Sequence, residues 1–240
     1  MKFNIIVAVA AIVAMSSCSK KPGCMDPTAA NYDPEAEADC CCQAVIPPTA
    51  YSNTIHSGAI TSNETWGNTE IHELAGKVVV ENGATLTIQE GTIIKGRTGT
   101  GSLASALVIA QGAKIIAQGT SVNPIIFTST LDDITFGEST GSNLDENDNE
   151  KWGGLIILGN APVSTENGDD MGQIEGIPAE ESYGSYGGSD PSDNSGILEY
   201  VSIRHGGALI GEGNEINGLT LGGVGNGTTI NHLEIFATLD

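Results

Sequence analysis

Beyond Thr69 the chain becomes a succession of short apolar runs separated by Gly, Asn and Gln. Examples are Val78-Val79-Val80, Leu86-Thr87-Ile88, Ile93-Ile94, Leu107-Val108-Ile109, Ile115-Ile116 and Ile125-Ile126-Phe127. Runs this short, rich in β-branched residues and bounded by turn formers, predict strands. No apolar stripe recurs with a helical period.

The runs also come in sets. Val78-Val79-Val80 leads into Glu81-Asn82-Gly83-Ala84, and Leu107-Val108-Ile109 leads into Ala110-Gln111-Gly112-Ala113, which places Ala84 and Ala113 twenty-nine residues apart. The same unit returns at residues 155–161 and more loosely at 219–227. A strand, a Gly/Asn corner, a second strand, a wider turn and a third strand cannot enclose a core alone, so such coils must stack. The predicted fold is all-β: a right-handed parallel β-helix of three-strand coils about 4.8 Å apart, with inward Val/Ile/Leu ladders. An antiparallel sandwich is the competing arrangement, and it would need two-residue hairpin turns between alternating strands. The repetition of whole strand sets favours the β-helix.

Charge refines this picture. The 240 residues carry 30 acidic and 9 basic side chains, a formal net charge of −21, which excludes nucleic acid as a partner. Residues 129–196 hold fifteen of those acids and one basic residue, Lys151. The negative charge therefore belongs to two long acidic loop insertions, roughly 129–151 and 164–195, placed at coil corners where binding faces commonly form. Asp145, Asp148, Asp169 and Asp170 in these loops are oxygen donors of the kind Ca²⁺ takes. The alternative is solvated loops in which like charges repel.

The N-terminal part reads differently. Lys2 is followed by an apolar run over residues 5–15, too short to cross roughly 30 Å of hydrocarbon, and then by Ser16-Ser17-Cys18. Residues 1–17 are predicted to be a signal peptide. The Met15-Ser16-Ser17-Cys18 ending resembles a bacterial lipobox, which implies acylation of Cys18 and a membrane partner reached through lipid rather than a spanning segment. Residues 18–43 contain a Cys-bounded acidic segment with Asp26-Pro27, Asn31-Tyr32 and Asp33-Pro34, closing on Cys40-Cys41-Cys42. It resembles a small module of Bacteroidetes surface proteins. With Cys18 acylated, Cys24, Cys40, Cys41 and Cys42 are disulfide candidates in three connectivities. Asp26, Asn31, Asp33 and Asp39 are a second candidate Ca²⁺ set, weighed equally against a Pro-punctuated spacer. Residues 44–68, rich in Pro, Ser, Thr and Asn, are read as linker and lead-in to a β-helix over 69–240.

Three longer segments, 151–162, 196–207 and 215–225, with Trp152-Gly153-Gly154, Tyr200-Val201-Ser202-Ile203-Arg204-His205-Gly206 and Leu221-Gly222-Gly223-Val224-Gly225, resemble a family of Bacteroidetes exported lipoproteins with a β-helix. That resemblance implies export to the outer membrane, further coils beyond Asp240, and no established catalytic activity. It leaves the membrane face open, because Ser19-Lys20-Lys21 is basic where an acidic export signal would stand. The function expected is a cell-surface binding or adhesion scaffold for a glycan or another surface protein, with Ca²⁺ assistance. The alternative is a polysaccharide-degrading enzyme of pectate-lyase or polygalacturonase type. Only Lys77, Lys95, Arg97, Lys114, Lys151 and Arg204 could serve an anionic polyuronate in the β-helix. The adjacent pairs Asp132-Asp133 and Asp169-Asp170 lack the accompanying motifs of a polygalacturonase. His205 is read as a strand-end corner residue, and Trp152, Tyr183, Tyr186 and Tyr200 either as packing anchors or as sugar-stacking rings.

Overall fold

The computed structural model describes residues 20–25, 33–39, 53–211 and 214–239. The chain forms two compact units, 1–50 and 51–240. In the first, β1 (Pro22–Gly23) pairs in parallel with β2 (Ala38–Asp39). Lys21 Nζ bridges Asp33 at 3.0 Å and Glu35 at 3.2 Å, and Cys24 is buried and disulfide-bonded.

The second unit is a parallel β-helix with three faces. The first coil consists of β3 (Asn53–Ile60), which runs across two faces with an irregularity between His56 and Gly58, and β4 (Glu64–Trp66) on the third. Coiling thus begins at Asn53, not at residue 69 as the apolar pattern suggested. Thr54 aligns through His72 with Ile94 and Phe127 of later coils, and His56 aligns with Leu74, so polar residues stand at the start of both rows. The usual strand signal is therefore missing from this first turn.

The second coil is β5 (Ile71–Val80), again across two faces, and β6 (Thr85–Ile88). The third is β7 (Ile93–Gly96), β8 (Ala106–Ile109) and β9 (Lys114–Gln118); the fourth starts with β10 (Ile125–Ser129) and β11 (Gly154–Leu158). Between β11 and the fourth coil's last strand lies an antiparallel pair, β12 (Met171–Gln173) and β13 (Ser185–Gly187). Then β14 (Gly196–Arg204) closes the fourth coil and opens the fifth. A second antiparallel pair, β15 (Ala208–Gly211) and β16 (Asn214–Ile216), precedes β17 (Leu219–Gly222) and β18 (Thr229–Phe236).

Register shows why the sequence takes this form. On the first face His72, Ile94, Phe127, Ile203 and Ile235 align through successive coils, and on the second Val80, Ile109 and Ile157 do. Ile94, Phe127, Ile203, Val80, Ile109 and Ile157 of these ladders meet in one core, with Leu86, Ile115, Trp66 and Ile88 from the third face. The corners align as well: Gly83 N donates to Gly112 O at 3.1 Å, so the Asn82-Gly83 and Gln111-Gly112 turns stack as their sequence spacing predicted. Gly112 has φ +75°, and a Cβ there would lie 2.5 Å from Asn82 Oδ1. That corner requires glycine both for its left-handed conformation and for space.

On the second face β8 and β11 are buried on both sides, which explains their unbroken apolar runs. Outward Val79, Val108 and Ile156 pack under Ile174, Ile177, Tyr183 and Tyr186 of the second insert and under Ala208 and Ile216 of the later hairpin. Gln111 Nε2 fastens the same insert by donating to Gly159 O at 2.9 Å and Gly187 O at 2.7 Å. The acidic insertions are thus seated on the coils through a few apolar anchors, rather than lying as solvated loops.

Candidate functional site

The outer side of the first face holds the site. There Ile71, Ile93 and Ile126 form an apolar ladder, which the first insert covers with Ile134, fully buried. Asp132 locks this contact. Its Oδ2 accepts from Thr128 Oγ1 at 2.7 Å and its Oδ1 from Ile134 N at 2.9 Å. Lys95 Nζ donates to Asp132 O and Ile134 O, both at 2.7 Å. Burial pushes the Lys95 ammonium below its ordinary pKa, and the surrounding carboxylates of Asp132, Asp133, Glu138 and Glu73 oppose the shift. Lys95 is thereby a strut of the insert and is not offered to a ligand.

Further along the same face the outward residues become polar. Ser202 stands opposite Glu234, and Arg204 opposite Phe236. Arg204 Nε donates to Ser202 Oγ at 2.7 Å, one terminal nitrogen to Ser139 O at 2.6 Å, and the other to Glu234 Oε2 at 3.3 Å. Ser202 Oγ donates to the same carboxylate oxygen. Beneath, Trp152 is fully buried, stacks at 6.5 Å on Phe127 and donates from Nε1 to Arg204 O at 2.7 Å. Trp152 is a packing anchor, and it fixes the strand that carries Arg204.

His205 directly follows β14 with φ +58°, the corner position expected of it. It is buried, its Nδ1 lies 2.7 Å from Asp148 O, and its ring meets Phe236 edge-on at 5.8 Å. The first insert, the polar outer face and this corner enclose a cleft of about 350 Å³. Its floor is Arg204, Glu234 and Phe236; Asp132, Leu144, Asp145 and Glu146 form its wall.

The Ca²⁺ candidates behave differently. Asp145 and Asp148 share one turn, in which Asp148 Oδ2 accepts from Asp145 N at 3.0 Å, and Asp148 also pairs with Lys151 at 3.1 Å. The backbone bond, then Lys151, hold the Asp148 carboxyl below its usual range. Asp169 and Asp170 are exposed in the other insert, where Asp169 O accepts from Thr165 Oγ1. Asp33 is engaged by Lys21 and Glu35 N. Asp26 and Asn31, the side chain of Asp39, and Cys18, Cys40, Cys41 and Cys42 lie outside the described residues. Among the described residues no three His, Cys, Asp or Glu side chains are grouped to hold a metal ion. Of the ring candidates, Tyr183 and Tyr186 pack on the second face, and Tyr200 stacks on His232 at 4.2 Å.

Glu234 and Phe236 were not singled out from sequence. Their signal is the alternation Leu233-Glu234-Ile235-Phe236, which turns Glu234 and Phe236 outward together.

A model of the pectate-lyase-like β-helix domain matches residues 58–240. The chain belongs to this family. No curated protein and no solved structure matches it. Membership of the pectate-lyase-like β-helix family accounts for the stacked coils, but the chemistry has to be read from the cleft. There, carboxylates outnumber cations, and the one guanidinium at the floor is already held by Glu234.

Proposed function

We propose that the protein is an exported lipoprotein, anchored to the outer membrane through acylated Cys18, whose β-helix is a rigid scaffold that binds glycan in the cleft between the first insert and the Arg204 face. The observation that carries the binding reading is the seating of that insert: Ile134, Asp132 and Lys95 fix one wall against the coils before any ligand arrives. A pre-formed concave site with a few convergent polar groups is what ligand recognition requires. Polyuronate cleavage is disfavoured, because Lys95 is committed to carbonyls, Arg97 to Glu73 and Lys151 to Asp148.

Two experiments test it. The full chain, screened on neutral and acidic polysaccharides, should retain a glycan without releasing new chain ends; release of reducing ends or unsaturated products would favour the enzyme alternative. Radioactive palmitate should label the wild-type protein and not the Cys18→Ala variant, and unchanged soluble secretion without label would remove the anchor.

A further inference from the structure

We infer that the ligand of this cleft is a neutral saccharide, with Phe236 as the platform under a sugar ring and the Arg204–Glu234 pair as the group that reads its hydroxyls. This rests on the binding reading above and assigns its ligand class. Three observations support it.

The first is charge. Asp145 and Glu146 on the wall and Glu234 on the floor face a single cation, Arg204. Arg204 directs its three nitrogens to Ser202, Ser139 and Glu234, and its side chain is only 12% exposed. Its charge is largely compensated within the protein. An anionic polymer would bring carboxylates against carboxylates, which repel even in water. A cationic polymer is the charged class these carboxylates would attract, and the polylysine arm of the test below addresses it.

The second is the ring. Phe236 is 40% exposed on the floor of the cleft, where the His205 ring stands perpendicular to it at 5.8 Å. An exposed ring offers apolar surface, and the C–H face of a pyranose is the uncharged surface that matches it.

The third is hydrogen-bonding capacity. Glu234 Oε2 is shared by Ser202 and Arg204, while Oε1 has no partner among the described residues, and the Glu234 side chain is 57% exposed. The Glu146 carboxylate is likewise exposed and unpaired among the described residues. Free acceptors beside guanidinium donors suit hydroxyl groups, which both donate and accept.

The test is calorimetry on the full chain with galactomannan, xyloglucan and dextran as neutral probes, polygalacturonate as the anionic probe and polylysine as the cationic one. At least one neutral polysaccharide should bind, with an affinity that changes little between about 0.05 and 0.5 M salt, since no net charge is neutralised. Phe236→Ala should weaken that binding roughly tenfold, and Phe236→Tyr should restore it. Glu234→Gln should retain binding to neutral polymer better than Glu234→Ala. Circular dichroism of each variant checks that it folds. Polygalacturonate or polylysine binding that falls with salt and is lost in the Phe236→Ala variant, with no neutral polymer bound, would overturn the ligand class while leaving the cleft as the binding site. Neutral binding indifferent to Phe236→Ala would overturn the assignment of platform. Failure of every polymer to bind would remove the glycan-binding reading itself.

Discussion

His56 Nε2 lies 2.9 Å from His72 Nδ1 at the first coil of the β-helix, and Trp66 stacks on both rings, at 4.2 and 5.1 Å. His72 is buried, and its Nε2 is 2.9 Å from Gly67 O. That carbonyl can only accept, so His72 donates from Nε2 and its Nδ1 must accept from His56. The pair is a directional bond between two neutral imidazoles, in the part of the core ladder where polar residues replace aliphatic ones.

Acid should therefore weaken the fold. Burial lowers both histidine pKa values; the neighbouring ring lowers that of His56 further, while Glu64 and Glu70 oppose the shift in both, and Gly67 O opposes it in His72. With folded values below the ordinary 6.5, the unfolded chain binds more protons as pH falls. The pair's contribution is fully present above the ordinary value and is lost as pH falls through the depressed folded values. Denaturant unfolding between about pH 8 and 5 should show stability falling toward the acid end, with a flatter profile in the double variant His56→Gln/His72→Gln. A wild-type profile level across that range would mean the pair is not held neutral by the fold.

Gly196 begins β14 with φ +121°, and a Cβ there would lie 1.8 Å from Ile115 O, a backbone atom that cannot move aside without disturbing the neighbouring coil. Gly196→Ala should cost about 3 kcal/mol or more, since left-handed strain and a backbone clash act together. Gly83→Ala, where φ is +88° and nothing lies within 4 Å of the added carbon, should cost only about 1 kcal/mol. Chemical denaturation of the two variants side by side separates close approach from conformation.

Trp152 offers a different test, because its bulk and its hydrogen bond can be removed separately. Trp152→Ala should lose about 3–5 kcal/mol through the cavity it leaves. Trp152→Phe keeps a buried ring and removes only the donor to Arg204 O, so the greater part of that loss should be recovered. Near-ultraviolet circular dichroism and denaturant midpoints provide the comparison.

The parts of the fold that were legible in the sequence are those in which both coil position and residue type repeat. Val78-Val79-Val80 and Leu107-Val108-Ile109 are in register, as are the turns that follow them. The first coil was hidden because Thr54 stands where Ile94 and Phe127 stand in later coils, and His56 where Leu74 stands in the next. The seating of the inserts was hidden for another reason: Ile134, Ile174 and Ile177 are single apolar residues in acidic surroundings, and single residues have no period. They matter because the coil surfaces beneath them, Ile93 and Ile126 on one face and Val108 and Ile156 on another, are apolar on the outside. Of the cleft, Arg204 and His205 stood out by type, while Phe236 read as one more strand residue. Its outward direction follows only from the register with Arg204.

Ile134 is the residue on which the first insert and the cleft depend together. It is fully buried over Ile71, Ile93 and Ile126, and burying such a side chain contributes about 1.5–3 kcal/mol. The bonds of Lys95 to two carbonyls and of Asp132 to Thr128 and the Ile134 amide surround this contact, while Ser139 O and Asp148 O tie the rest of the insert to Arg204 and His205. Ile134→Ala should cost about 2–4 kcal/mol within the insert, and the coils beneath, which share their own continuous core, should lose much less. Amide exchange should then accelerate over residues 130–153 while β7 and β10 stay protected, and glycan binding should weaken because Asp145 and Glu146 are no longer held opposite Arg204. Lys95→Met should weaken the same segment to a smaller degree, since the apolar contact remains. Unchanged exchange in the Ile134→Ala variant would show that the insert is held elsewhere, and the pre-formed wall of the cleft would need another cause.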